Sequence, residues 1–251
     1  VSFGKSGKAV ISWKPVEDSI EPTASAKGYI LYSRIGDGGF DTGRIIEKVK
    51  HHDGRYYTEV DLQAGKVMSY RICAFNDGGI SFPSETVSIG TPAGTVHRPV
   101  LVVNNFDRVS GPAFFDTPSY AGFDNRLDSG VPHVKDIAYI GEMHDFRRQS
   151  EFVTNDSPGF GASYTDHAGQ IVAGNTFDYP SMHGNTLAEM GISYVSSSIN
   201  AIESLEPYTL VDIIMGKEKG EKTDTIGCIP MHLRNAIEAY TAQGGKILLS
   251  G

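Results

Sequence analysis

Hydrophobic positions follow two different rhythms along the chain. Between residues 1 and 89 they come in short runs broken by turn chemistry. Ala9-Val10-Ile11-Ser12-Trp13 reads as a strand stopped by Pro15, and Gly28 to Ser33 and Tyr56 to Val60 read as two more. Asp37-Gly38-Gly39 and Leu62 to Gly65 supply turns between such runs. Met68, Tyr70, Ile72 and Ala74 alternate with Ser69, Arg71 and Cys73. That period of two puts the first set on one face, the pattern of a half-buried strand. Several strands at this spacing with one early Trp predict an all-β sandwich over residues 1–90.

The second rhythm begins after a linker. Residues 91–98, within Gly90-Thr-Pro-Ala-Gly-Thr-Val-His-Arg98-Pro99, carry Pro and Gly without apolar periodicity. Pro99 to Val103 is then a continuous apolar, β-branched run, as in a strand covered on both faces. Asn185 to Met190 reads as the later part of a helix that Gly191 stops, followed by a strand at Ile192 to Val195. Thr209 to Met215 predicts another buried strand, and Lys246 to Ser250 the last. Pro230 to Gln243 predicts a helix with Leu233, Ile237 and Tyr240 on its apolar face, Pro230 in its first turn and Gly244-Gly245 ending it. Strands alternating with helices predict a mainly parallel, three-layer α/β domain over 99–251. Its expected long insertion, 104–180, is rich in Gly, Asp, Phe and Tyr and shows one short strand, Asp136 to Ile140.

Composition narrows the functional classes. The chain has 251 residues and a net charge of −8, with no basic stripe, which argues against nucleic acid as a partner. No apolar run is long enough to span a bilayer. The 2 cysteines, Cys73 and Cys228, sit in different halves and outside any metal-ligand spacing, so a disulfide framework is excluded. The chain starts at Val1 without a signal peptide and stops at Gly251 directly after a strand-like run. Both ends read as cut, which predicts a fragment of a longer protein.

The stretch Leu62-Gln-Ala-Gly65-Lys-Val-Met68-Ser-Tyr70-Arg-Ile72-Cys-Ala74-Phe-Asn76-Asp-Gly78-Gly79-Ile-Ser81-Phe-Pro83-Ser84 resembles the end of a fibronectin type III domain. Trp13 and Tyr29 stand where that family keeps its strand-B tryptophan and strand-C tyrosine. Met68 occupies the tyrosine-corner position, so the resemblance implies that the hydroxyl-to-backbone bond of that corner is missing. Further on, Val102 to Arg108, Phe177-Asp-Tyr-Pro-Ser-Met-His-Gly184, Ser193 to Ile202, Val211 to Glu218 and Gly244 to Gly251 resemble the α/β domain of Bacteroidetes-type envelope proteins. These are commonly labelled xanthan lyase or N-acetylmuramoyl-L-alanine amidase, and their α/β domain is distantly similar to class I glutamine amidotransferases. The resemblance implies an exported protein, extracellular, periplasmic or on the cell surface. It further implies polysaccharide or peptidoglycan fragments, and other domains of the same full-length protein, as partners.

Catalytic chemistry is hard to place. No Gly-x-Cys-x-Gly or Gly-x-Ser-x-Gly elbow occurs, and Cys228, in Thr225-Ile-Gly-Cys-Ile-Pro230, precedes a helix without following a strand. His51-His52 sits in a polar turn, where a solvated loop explains it better than a metal site. His133, Asp136, Glu142, His144 and Asp145 lack the spacing of a zinc site, so no metal is expected. Asp166-His167 and His183 are candidate acid–base groups, His183 being expected to bond backbone in the turn after Tyr179-Pro180. Gly36 to Gly39 is a hairpin turn and not a phosphate loop, and no cofactor is expected. One constellation has a physical rationale: ligands of parallel sheets bind beyond the carboxyl ends of the strands. Those ends predict a rim of Asn104, Asn105, Asp107 and Arg108, of Ser197, Ser198 and Asn200, and of Lys217 and Glu218. Amides, hydroxyls and paired charges of this kind suit a sugar or peptide fragment. The expectation is a non-catalytic pair of spacer and binding or scaffold modules, with no catalytic residue assigned. The alternative is a lyase or amidase fragment with its site on that rim.

Overall fold

The computed structural model describes residues 1–15, 25–81, 83–92, 98–106, 114–119, 121–123, 135–136, 172–173, 176–202, 204–208, 210–216 and 229–251. They fall into two compact units. One comprises Val1–Asn104, Phe177–Ile214 and Met231–Ser250, and the other Asn105–Thr176, Met215–Pro230 and Gly251.

The first unit begins with β1 (Ser2–Phe3), β2 (Lys8–Trp13), β3 (Gly28–Ile35), β4 (Arg44–Ile45), β5 (Lys50–His52), β6 (Arg55–Asp61), β7 (Val67–Asn76), β8 (Gly79–Ile80) and β9 (Val87–Gly90). Strands β1, β2, β6 and β5 form one antiparallel sheet in that order, and β4, β3, β7 and β9 run consecutively in another. The alternation in β7 works as expected on one face, where Tyr70 and Ile72 are buried. It does not leave the other face to solvent: Val67, Ser69 and Cys73 are buried too. Trp13 meets Tyr29 edge-on at 5.1 Å between centroids, and both meet Tyr56 in the same manner. The Met68 Sδ accepts the Gln63 backbone N–H and the Tyr70 hydroxyl, each at 3.4 Å.

The chain continues through β10 (Val100–Asn104). In the second unit, β11 (Phe114–Asp116) pairs with β12 (Ala121–Phe123), and β13 (Lys135–Asp136) with β14 (Val172–Ala173), both antiparallel. Of the strand expected at Asp136 to Ile140, all but Asp136 lies outside the described residues. Helix α1 (Tyr179–Glu189), β15 (Tyr194–Ser198), β16 (Leu210–Ile214), α2 (Met231–Ala242) and β17 (Lys246–Ser250) complete the first unit. The order β17-β16-β10-β15 is parallel throughout, and the apolar runs at 100–104 and 210–214 occupy its middle.

Helix α1 starts earlier than its periodicity shows, because Pro180 fits the first turn. It closes at Gly191, whose φ of +74° is the left-handed conformation that favours glycine. The Gly191 N–H donates to Ala188 and the Ile192 N–H to Leu187, the double closure of a Schellman motif. Ile192 is thereby spent on ending the helix. The next strand runs from Tyr194 to Ser198 and not from 192 to 195, so Ser196 and Ser197 lie within it.

The rhythm changes at 91–98, yet one hydrogen-bonded sheet holds strands from both sides of that change. β9 pairs antiparallel with β7 on one edge and with β15 on the other. One nine-stranded sheet results, running from β17 to β4 with β8 attached to β7. Among the described residues, no helix is long and apolar enough to cross a membrane.

Candidate functional site

Strand register aligns a polar row across the middle of this sheet. Arg34 faces Ser69, Ser69 faces Ser88, and the Ser88 N–H donates to Ser196 Oγ at 2.6 Å. Ser196 faces Val102, which faces Asp212. Ser69, Ser88, Ser196 and Asp212 are all buried. Small side chains in the centre and a charge at either end make a trough, and side chains of α1 bind both of its charged ends. Arg34 Nη2 donates to Asp178 Oδ1 at 2.5 Å and to Ser181 Oγ at 3.1 Å. His183 Nδ1 lies 2.6 Å from Asp212 Oδ2. Between these anchors the Tyr194 ring fills the space: a Cβ on Gly184 would stand 1.9 Å from its Cζ, and one on Gly90 2.7 Å from its Cε1.

The electrostatics follow from burial. The Asp212 side chain is 5% exposed and that of His183 30%. The hydrogen bond to Asp212 raises the His183 pKa, burial works against it, and the carboxylate charge adds to the rise. Burial pushes the Tyr194 phenol up, and the neighbouring Ser88 hydroxyl works against that rise. Asp212 Oδ1 and Ser69 Oγ have no partner among the described residues.

His183 therefore differs from its expected role. It bonds a carboxylate and not the backbone, because its helix position places the ring over β16. Asp212 was missed by sequence reasoning. Its signal was present: a lone carboxylate inside Leu210-Val-Asp-Ile-Ile214 requires a partner to be buried there. Asp166 and His167, together with His133, Glu142, His144, Asp145 and Cys228, lie outside the described residues.

The nine predicted rim residues divide. Asn104 faces Ser198, Val103 faces Ser197, and Asn104 also faces Ile214, so the carboxyl ends of β10, β15 and β16 do align. Asn104 is buried with its Oδ1 unpartnered among the described residues. Ser198 Oγ donates to Glu85 Oε1 at 2.9 Å, and Ser197 Oγ to the Ser198 carbonyl at 3.1 Å. Asn200, exposed in a short 3-10 helix (Ile199–Ala201), accepts from Lys14 Nζ through its carbonyl at 3.4 Å. Asn105 belongs to the second unit, where its Nδ2 donates to Met215 Sδ at 3.1 Å. Asp107, Arg108, Lys217 and Glu218 lie outside the described residues. Among the described residues, no three His, Cys, Asp or Glu side chains converge as a metal site would require.

No protein-family model matches this sequence, and no curated protein does. Among solved structures, the twitchin kinase region from C. elegans (Fn31-NL-kin-CRD-Ig26) is similar over 34% of this chain, at 25% identity and a TM-score of 0.26. The match spans 14% of that chain.

Proposed function

We propose that the chain joins a fibronectin type III-like sandwich, residues 1–90, to an α/β domain, residues 99–251. Together they act as non-catalytic spacer and scaffold modules of an exported bacterial envelope or polysaccharide-processing protein. Polysaccharide or peptidoglycan fragments are its ligands, and other domains of the full-length protein carry any chemistry. The observation that supports this reading is the double pairing of β9. A strand bonded on both edges transmits orientation between the two halves, as a spacer must. The acid–base pair His183–Asp212 also supports it. Its carboxylate is buried in mid-strand with α1 bonded to it, away from the carboxyl ends where a parallel sheet binds ligands.

Incubation of the chain with muropeptides and acidic polysaccharides tests the reading. Binding without new reducing or unsaturated ends is expected, and turnover would overturn it. A second reading, a lyase or amidase fragment with its site on the rim, has one observation in its favour. Asn104 holds a buried carbonyl oxygen without a partner among the described residues at the carboxyl end of β10. Under that reading turnover occurs and Asn104→Ala, Asp107→Ala or Arg108→Ala abolishes it.

A further inference from the structure

A second feature of the sheet lies apart from the rim. Tyr32 and Arg71 are register partners on β3 and β7. The Arg71 guanidinium stands 5.4 Å from the Tyr32 ring centroid and 4.1 Å from that of Phe40. Arg34 stands 4.8 Å from the same Phe40 ring. The two arginines share this aromatic but not their ion pairing. Arg34 is bonded by Asp178 and Ser181, and its side chain is only 10% exposed. Arg71 has no carboxylate, carbonyl or hydroxyl partner among the described residues. Its Nε is buried, which fixes the plane of the group, while its terminal nitrogens reach solvent.

We infer that Arg71 is an oxyanion-binding site, which takes a carboxylate or phosphate group on the fork of its terminal nitrogens. A guanidinium is held over aromatic faces by the attraction of its charge to the ring quadrupole. A half-desolvated cation without an anion leaves its strongest interaction unmade. The two rings remove the rotamer freedom that a long side chain otherwise loses on binding, so the site is pre-organised for a planar or tetrahedral anion. In a chain of net charge −8, this stacked guanidinium has no carboxylate partner among the described residues, which leaves its fork open to an external one. The inference is independent of the rim.

The test titrates the full chain with oligogalacturonate and, separately, tripolyphosphate, against sodium chloride at matched ionic strength. The Arg71 Nε–H resonance is followed by NMR and affinity by calorimetry. A shift of that resonance with either anion is expected, and the two arms tell a carboxylate ligand from a phosphate ligand. Arg71→Lys, which keeps the charge but loses the stacked fork, weakens binding roughly tenfold or more. Arg71→Met weakens it at least as much. Should Arg71→Met fail to fold, the wild-type resonance and Arg71→Lys decide. No binding of either anion, binding without a shift at Arg71, or binding unchanged in Arg71→Lys would overturn the inference. Binding lost in Asn104→Ala but kept in Arg71→Lys would place the anion on the rim and overturn it as well.

Discussion

Gly184 shows how tightly α1 is set down. A methyl group there would enter the Tyr194 ring, since its Cβ would lie 1.9 Å from Cζ and 2.0 Å from Oη. Tyr194 is fully buried and cannot swing away. Gly184→Ala is therefore expected to lower stability by about 1–3 kcal/mol or more in urea denaturation, through overpacking. Unchanged stability would show that helix and ring are not in contact. The His183–Asp212 pair makes a second prediction at this scale. The folded-state pKa of His183 is raised, so the pair contributes fully below the ordinary value of 6.5 and is lost as pH rises through the folded value. The Tm difference between wild type and Asp212→Asn is thus expected to be largest near pH 6 and to shrink toward pH 9, in differential scanning calorimetry at constant ionic strength. A difference that grows with pH would contradict the pairing. Neither contact was legible in the sequence. Gly184 and Tyr194 come together only once a helix is laid over a strand, and one-dimensional spacing holds no record of that. The burial of Asp212 was readable from its apolar neighbours; the identity of its partner was not.

For the elements, legibility followed periodicity. Continuous apolar runs gave β10 and β16 to within a residue, and strict alternation gave β7. Helix α2 lies within its expected bounds, with Leu233 and Tyr240 buried as its apolar face requires. What escaped were terminal effects. The start of α1 looked like a Tyr-Pro turn, and the consumption of Ile192 by the helix closure shifted β15 along by two residues. The serines of β9 and β15 carry no hydrophobic signal, although Ser88 and Ser196 are among the most buried residues. The anchoring of α1 supplies a prediction. Asp178→Ala leaves the nearly buried Arg34 guanidinium with Ser181 as its one hydrogen-bond partner among the described residues, and a charge-assisted bond is worth about 1.5–3 kcal/mol. Amide hydrogen exchange in the first turn of α1 is expected to accelerate accordingly, roughly tenfold or more, while α2 is unchanged. Equal acceleration in both helices would mean a global loss of stability and not the release of one end.

Across the whole molecule, the change of rhythm near residue 95 was visible, but the sheet that joins the two patterns was not. Sequence separation explains why. Ile89 meets Val195 and Ser88 meets Ser196 across more than a hundred residues, and nothing local encodes such pairing. Of the expected rim, the ends of β10, β15 and β16 were legible, and the register brings them into line; Ser198 is bonded to Glu85, a residue from the other half of the sequence. Because both patterns share one sheet inside one compact unit, that unit is expected to unfold in a single cooperative transition. Denaturant curves followed by Trp13 fluorescence and by hydrogen exchange at Val102 and Val211 should coincide. Separate midpoints would show that the halves melt independently.

The strand Val87–Gly90 also limits how this polypeptide can be taken apart. Severing the chain within 93–97 and producing the pieces separately strips a hydrogen-bonding neighbour from each. Ile89 and Val195, both nearly inaccessible when paired, would then line raw borders open to any passing strand. Neither piece could be transplanted as a ready-made cassette without first blunting that border, for example with a lysine or proline. The seam that looks in one dimension like the natural place to cut separates, in three, two strands that are hydrogen-bonded to each other.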